Sequence, residues 1–324
     1  MCTAITFPSK DFYFGRNLDL ERSYNETVTI TPRNYIFTLC NGTVITEHLA
    51  FIGMATVVDG YPLYYEATNE KGLSIAGLNF PENAVYYAFD ESKTNITPFE
   101  LIPWLMAGCA SVSEAKQRLN EINLWDMSFS VDYPSTPLHW ILADSSKSIT
   151  IESLADGLHV YDNPVGVLSN NPPFPFHIQY LTGFMNLTVK TPENRFSTNI
   201  NIKPYSLGMG AMGLPGDLSS ASRFVKAAFT KLNSVCGESE EESVSQFFHI
   251  LGSVTQQRGI TTLPNGEFEI TRYSCCCNAT RGIYYYTTYN NRQITAVDMH
   301  KTNLNNREVT TYPLITHQQI YHQN

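Results

Sequence analysis

The second residue, Cys2, has the widest chemical scope in the chain, because its position matters as well as its identity. Removal of an initiator methionine is favoured when the next residue is small. Loss of Met1 leaves Cys2 with a thiol and a free α-amine on one carbon framework. An α-amine titrates near about 7.7–8.0 and a thiol near about 8.5, so close to neutral pH the amine is a competent base and the thiol is easily activated. One residue then supplies nucleophile and base. Position alone also fits an ordinary buried cysteine that follows Met1.

Other patterns carry less. Gly208-Met209-Gly210-Ala211-Met212-Gly213 matches G-x-G-x-x-G, but Leu214-Pro215-Gly216 follows where a helix should open, so a tight loop is expected. Gly72-Leu73-Ser74-Ile75-Ala76 approximates a nucleophile elbow yet continues as alternating small and apolar residues, which makes Ser74 a strand residue. Cys275, Cys276 and Cys277 are adjacent; neighbouring strand side chains point to opposite faces, so ordinary strand residues are expected there and not a metal site. No histidine pair forms H-E-x-x-H, although a Cys/His pair that meets only in space stays open.

The elements that must position Cys2 begin at once. Cys2 to Phe7 and Phe12 to Gly15 read as a hairpin around Pro8-Ser9-Lys10-Asp11. Strands are expected at Val28–Thr31, Phe51–Val58, Tyr64–Ala67 and Leu73–Leu78, most of them apolar on both faces, as in stacked sheets with outer helices. Thr97-Pro98-Phe99-Glu100 and Ser111-Val112-Ser113-Glu114 read as capping boxes opening two helices, the first with Pro at its first position. A meander is expected over Leu138–Ala143, Ile149–Leu154 and Leu158–Val160. Helices then follow at Ser219–Leu232 and Glu241–Leu251, and strands at Ile270–Cys277, Gly282–Thr288 and Ile294–Met299. Strands at both ends and in the middle, with helices between, favour an α+β layered fold over a doubly wound one.

Composition sets the outer bounds. With 43% hydrophobic and 16% charged residues the 324-residue chain has enough apolar content for a large core, and with no linker-like run it reads as one domain over 1–324. The net charge of −9 opposes the basic footprint that nucleic-acid binding requires. No apolar run approaches the length of a bilayer span, and MCTAITFPSKDF lacks the form of a secretory signal, so a cytoplasmic protein without stable membrane insertion is expected. Seven cysteines, an odd number, agree with a reducing compartment.

Met1-Cys2-Thr3-Ala4 followed by Phe14-Gly15-Arg16-Asn17-Leu18-Asp19 resembles the opening of the choloylglycine hydrolase family, a group of N-terminal-nucleophile hydrolases. The resemblance runs on through Asn69-Glu70-Lys71-Gly72-Leu73, Ala76-Gly77-Leu78-Asn79-Phe80-Pro81, Leu138-His139-Trp140, Leu168-Ser169-Asn170-Asn171-Pro172 and Gly213-Leu214-Pro215-Gly216-Asp217 to Ser222-Arg223-Phe224. It covers nearly the whole chain, and the order and spacing of the motifs make it specific. Asn79 resembles the branch acting on conjugated bile salts, where members acting on penicillin V typically carry Tyr; Ser169 stands where many relatives have Thr, and keeps the hydroxyl.

The resemblance implies a four-layer αββα sandwich and hydrolysis of the amide joining a steroid acid to glycine or taurine, through a thioester and with no metal or cofactor. By motif, Cys2 is nucleophile and, through its amine, base and then acid; Arg16 lies beside the sulfur and Asp19 holds the amine. The Asn79 backbone N–H and the Asn170 amide meet the oxyanion, and Arg223 completes the polar network. Leu20, Tyr24, Tyr65 and Phe129 are candidate walls of an apolar groove. A homotetramer is implied as well. Without the family, Arg16 and Asp19 read equally as a surface ion pair and Asn79 and Asn170 as turn formers. Penicillin V acylase and a noncatalytic bile-acid or lipid-binding protein are the rival functions.

Overall fold

The computed structural model describes residues 1–324. β1 (Cys2–Pro8) and β2 (Phe12–Leu20) form the opening hairpin, followed by β3 (Thr27–Thr31), β4 (Phe51–Val58), β5 (Tyr61–Asn69) and β6 (Ser74–Asn79). Helices α1 (Leu101–Gly108) and α2 (Val112–Leu119) lead to the meander β7 (Leu138–Ala143), β8 (Ser148–Leu154) and β9 (Gly157–Asp162). A two-residue strand β10 (Val167–Leu168) and helix α3 (Phe174–Tyr180) precede α4 (Ser220–Asn233) and α5 (Glu240–Gly252). The chain then forms β11 (Ile270–Asn278), β12 (Ile283–Thr288), β13 (Thr295–Asp298) and β14 (Thr310–Pro313).

Two antiparallel sheets result, one ordered β10-β1-β2-β11-β12-β13 and the other β9-β8-β7-β6-β5-β4-β3-β14. β1 and β2 face β6 across the gap, α4 and α5 cover the outside of the first sheet, and α1 covers the outside of the second. The layers therefore run helix, sheet, sheet, helix, the expected α+β sandwich. Period-two alternation explains the doubly apolar strands: Ile52, Met54, Ala76, Leu78 and Ile141 enter the core between the sheets, while Phe51, Ala55, Ile75 and Leu142 turn to the core under α1 and α2. Each such fully buried branched side chain contributes about 1.5–3 kcal/mol.

Two glycines are required by geometry. A Cβ on Gly15 would lie 2.0 Å from the Cys275 carbonyl oxygen, so only glycine lets β2 and β11 approach at this register. Gly72, at φ +84°, closes the Asn69–Gly72 turn between β5 and β6.

One helix start differs from expectation. α1 begins at Leu101, because Thr97–Glu100 forms a turn in which the Glu100 carboxylate accepts from Thr97 N at 3.2 Å and from Cys40 N at 2.6 Å, while the Thr97 hydroxyl has no partner. Only half a capping box exists. The second box holds for its cap, since Ser111 Oγ accepts from Glu114 N at 3.2 Å, although the Glu114 carboxylate reaches back to Ala110 N instead of Ser111 N.

Candidate active site

Cys2 is a ladder residue of β1, opposite Leu18 of β2, with Ala4 opposite Arg16. Directly paired residues share a face, so the Cys2, Arg16, Leu18 and Leu20 side chains point into the space between the sheets. Asn17 and Asp19 point to the helix side, where Asn17 Nδ2 donates to Leu251 O of α5 at 3.0 Å. Arg16 and Asp19 are three residues apart on one strand and both fully buried, which corrects the alternative of a surface ion pair.

Met1 extends the ladder. Its ammonium donates to Asp19 O at 3.0 Å and contacts the Glu269 carboxylate, and Asp19 N donates to Met1 O at 3.0 Å. The Cys2 nitrogen, an amide while Met1 is attached, donates to Asn170 Oδ1 at 2.7 Å. Asp19 Oδ1 accepts from Thr271 Oγ1 at 2.6 Å and its Oδ2 has no partner. Burial pushes the Asp19 carboxyl above its ordinary pKa, against the pull of the Met1 ammonium and Arg223. Burial also lowers the pKa of the Met1 amine.

Arg16 reaches between the sheets, with Nη1 donating to Gly77 O at 2.5 Å and Tyr65 O at 3.2 Å; its Nη2 has no partner in the protein. Burial opposes its charge, but Cys2, Tyr273 and Glu66 outweigh that and raise its pKa. Arg223, from α4, is equally buried and ties four points together. Nη1 donates to Cys2 O and, at 2.5 Å, to Thr3 Oγ1; Nη2 donates to Asn170 Oδ1 at 2.7 Å and Nε to Leu218 O at 3.0 Å.

Two donors converge near Cys2. Phe80 N–H is spent on Pro137 O beside β7, so the preceding Asn79 N–H points to the opposite edge, where the β5–β6 ladder has already ended at Glu66 and Ala76. Asn170 Nδ2 donates one hydrogen to Asn79 O at 2.6 Å, which leaves its second N–H for another acceptor. Its amide orientation is dictated, because Oδ1 faces two donors, Cys2 N and Arg223 Nη2. Asn79 ends a strand and Asn170 bonds three different segments, so neither acts simply as a turn former. Asn171 turns away, its Nδ2 donating to Pro81 O at 2.5 Å.

Sequence reasoning missed the groups that hold this loop. His139 Nε2 lies 2.8 Å from Ser169 O and its Nδ1 3.0 Å from Glu152 Oε1, while the same carboxylate accepts from Phe174 N at 2.9 Å. His177 Nε2 lies 2.9 Å from Asn170 O, and burial lowers its pKa to about 4. Neutral His177 donates to that carbonyl from Nε2. Asn170 N donates to Ser220 Oγ at 2.8 Å at the start of α4. His139 stands in one of the motifs that carry the family resemblance, but neither it nor His177 has a spacing that assigns it this role, which rests on long-range pairing.

A cleft of about 450 Å³ opens on this group, lined by Cys2, Arg16, Gly77 and Asn79 at one end. Leu20, Tyr24, Tyr65 and Phe129 all line it, joined by Leu18, Leu63, Phe99, Tyr133 and Leu138, which were not among the candidate walls. Phe99 and Phe129 meet edge to face at 5.4 Å. Ser74 is a buried β6 residue bonded to Thr68 Oγ1 at 2.8 Å, and the three adjacent cysteines are buried residues of β11. No helix is long and apolar enough to cross a membrane.

A model of the choloylglycine hydrolase family, linear amide C–N hydrolases, matches residues 2–312. The chain is 52% identical over 321 residues, 99% of each chain, to the bile salt hydrolase/transferase of Lactiplantibacillus plantarum. Its structure is similar to a solved structure of the conjugated bile acid hydrolase from Clostridium perfringens, with a TM-score of 0.93 at 37% identity over 100% of both chains. It shares its fold with the penicillin V acylase of Agrobacterium tumefaciens, with a TM-score of 0.74 at 20% identity over 96% and 90% of the two chains.

Proposed function

Because the chain belongs to the choloylglycine hydrolase family of linear amide C–N hydrolases, we propose that it hydrolyses glycine- and taurine-conjugated bile salts with Cys2 of the Met1-processed chain as nucleophile. The observation that carries this reading is the convergence at one apolar cleft of Cys2, Arg16 and Asn79, with the Cys2 nitrogen 2.7 Å from Asn170 Oδ1.

The chemistry follows from the groups present. While Met1 is attached the Cys2 nitrogen is an amide, whose lone pair is delocalised and cannot take a proton. Its loss makes that nitrogen a basic amine, still beside Asn170 Oδ1 and near Asp19. The amine takes the thiol proton as Sγ attacks the amide carbon, and Arg16 stabilises the negative sulfur. The carbonyl oxygen becomes an oxyanion met by the Asn79 N–H and the second Asn170 N–H. Collapse breaks the C–N bond, the α-ammonium protonates the departing glycine or taurine nitrogen, and a thioester remains. Water, deprotonated by the same amine, releases the steroid acid and restores the thiol.

Leu20, Tyr24, Tyr65 and Phe129 form the wall against the steroid in this reading. The catalytic unit is the single domain 1–324 without Met1, acting in the cytoplasm, on the form of its opening residues and its cysteine usage, as a homotetramer, on family resemblance; light scattering tests the assembly. Purified protein assayed in parallel on glycocholate, taurocholate and penicillin V, with intact-mass measurement, tests the rest. Turnover of the two bile salts by a chain lacking Met1 is expected. Preferential turnover of penicillin V, full activity with Met1 in place, or binding without turnover overturns the reading.

A further inference from the structure

Glu66 lies between the two sheets, on β5, and the chemistry above does not use it. It is 2% exposed, yet every donor around it comes from elsewhere in the sandwich. Tyr284 of β12 donates its hydroxyl to Oε1 at 2.6 Å and Tyr273 of β11 donates to Oε2 at 2.8 Å, with the Cys275 thiol 3.6 Å from Oε1. Arg16 Nη1 stands 3.8 Å from Oε2. Burial raises the pKa of this carboxyl, while the facing guanidinium and the two hydroxyl donors pull toward the ionised form. Arg16 in turn has one nitrogen, Nη2, with no partner in the protein, and lines the cleft beside Cys2.

We propose that Glu66 is a positioning residue for the amide hydrolysis: from the seam between the sheets it fixes Arg16 in place and limits how much of that positive charge acts on Cys2. The proposal rests on Cys2 being the nucleophile. The titratable groups that act on Arg16, Cys2 and the α-amine are Glu66 on β5, Tyr273 and Cys275 on β11, Asp19 on the helix side of β2, Arg223 on α4 and Glu269 just ahead of β11. Glu66 is the one carboxylate among them that touches Arg16 directly. Removing its charge leaves Arg16 uncompensated, and an uncompensated cation favours loss of a proton from both the thiol and the amine.

The test is Glu66→Gln, which keeps the shape and removes the charge. The pH dependence of kcat/KM on glycocholate and the pH dependence of Cys2 alkylation by iodoacetamide, located by peptide mass, are read together. Both acid limbs are expected to move to lower pH by about one unit, the scale of one full charge acting over roughly 10 Å at an effective dielectric near 20. Glu66→Asp keeps the charge on a shorter arm and is expected to lower kcat several-fold with the limb in place. Unmoved limbs in the Gln variant, or in the Asp variant a displaced limb or unchanged kcat, overturn the proposal. Cys2→Ala separates the two readings: turnover surviving that change sinks the nucleophile assignment, whereas its loss beside an unmoved Glu66→Gln limb sinks only the role of Glu66.

Discussion

Replacing Asn170 by alanine removes a side chain that serves three partners: it accepts from Cys2 N and Arg223 Nη2, both at 2.7 Å, and donates to Asn79 O at 2.6 Å. Its second amide N–H is the proposed oxyanion donor. That hydrogen meets full negative charge only in the tetrahedral intermediate, so its loss falls on the barrier and not on substrate affinity. One such donor is worth about 2.7–4 kcal/mol, so kcat should fall roughly 10²–10³-fold while KM changes by less than about threefold. A second cost appears in stability, because Arg223 Nη2 is left buried without this acceptor, at about 1–3 kcal/mol. Asn171→Ala is the internal control: its one bond, to Pro81 O, lies at the edge of the loop, and kcat should stay within about threefold. Steady-state release of glycine from glycocholate, with circular dichroism to confirm folding, measures both. Equal losses of kcat in the two variants, or a raised KM with unchanged kcat for Asn170→Ala, would refute the reasoning.

Cys2→Ser should lose most activity while folding normally, since a hydroxyl is far less ionised than a thiol, whereas Cys276→Ser, on the opposite face of β11 from Cys275, should keep most turnover; a reversed pattern in the same assay refutes the nucleophile. Phe129→Ala should raise KM for bile salts about 10–100-fold, the worth of an aromatic side chain buried against a ligand, with kcat changed little; a kcat defect at constant KM would remove Phe129 from the groove. His177 stays neutral down to about pH 4 in the fold against an ordinary 6.5, so between those values the unfolded chain binds the proton that the fold refuses. Its contribution is full above about 6.5 and lost as pH falls toward 4; urea titrations across that window should show His177→Gln flattening the decline relative to the parent.

Much of the architecture is local and therefore legible. β4 and β7 have the bounds that alternation and turn residues set, and α4 and α5 lie within a residue of expectation, because each is a long periodic segment between clear punctuators. β10 was not legible: two residues carry no period, and Val167–Leu168 is a strand only because β1 lies beside it. α3 begins within the proline-rich Pro172-Pro173-Phe174-Pro175, which reads as a turn until the missing N–H of Pro175 is placed in the first helical turn. The site divides the same way. Cys2, Arg16 and Asp19 belong to one contiguous hairpin, but Glu66, Glu152, His139 and His177 act across separations from 7 residues, His177 to Asn170, to 218, Glu66 to Tyr284, through contacts that no spacing rule encodes.

The placement of Cys2 inside a paired strand governs how the protein can be attached to anything else. Tags, linkers and solid supports are commonly joined ahead of the first residue, yet here Met1 already completes the ladder with Asp19, and its amine ends against Glu269. Polypeptide added on that side meets the Glu269 carboxylate, and by keeping Met1 attached it leaves the Cys2 nitrogen an amide, which the proposed chemistry cannot use. Residues 317–324, by contrast, are exposed and lie outside both sheets. Coupling there leaves β1 paired, the cleft open and the amine free, so immobilised or fused forms of the enzyme should be built from that end.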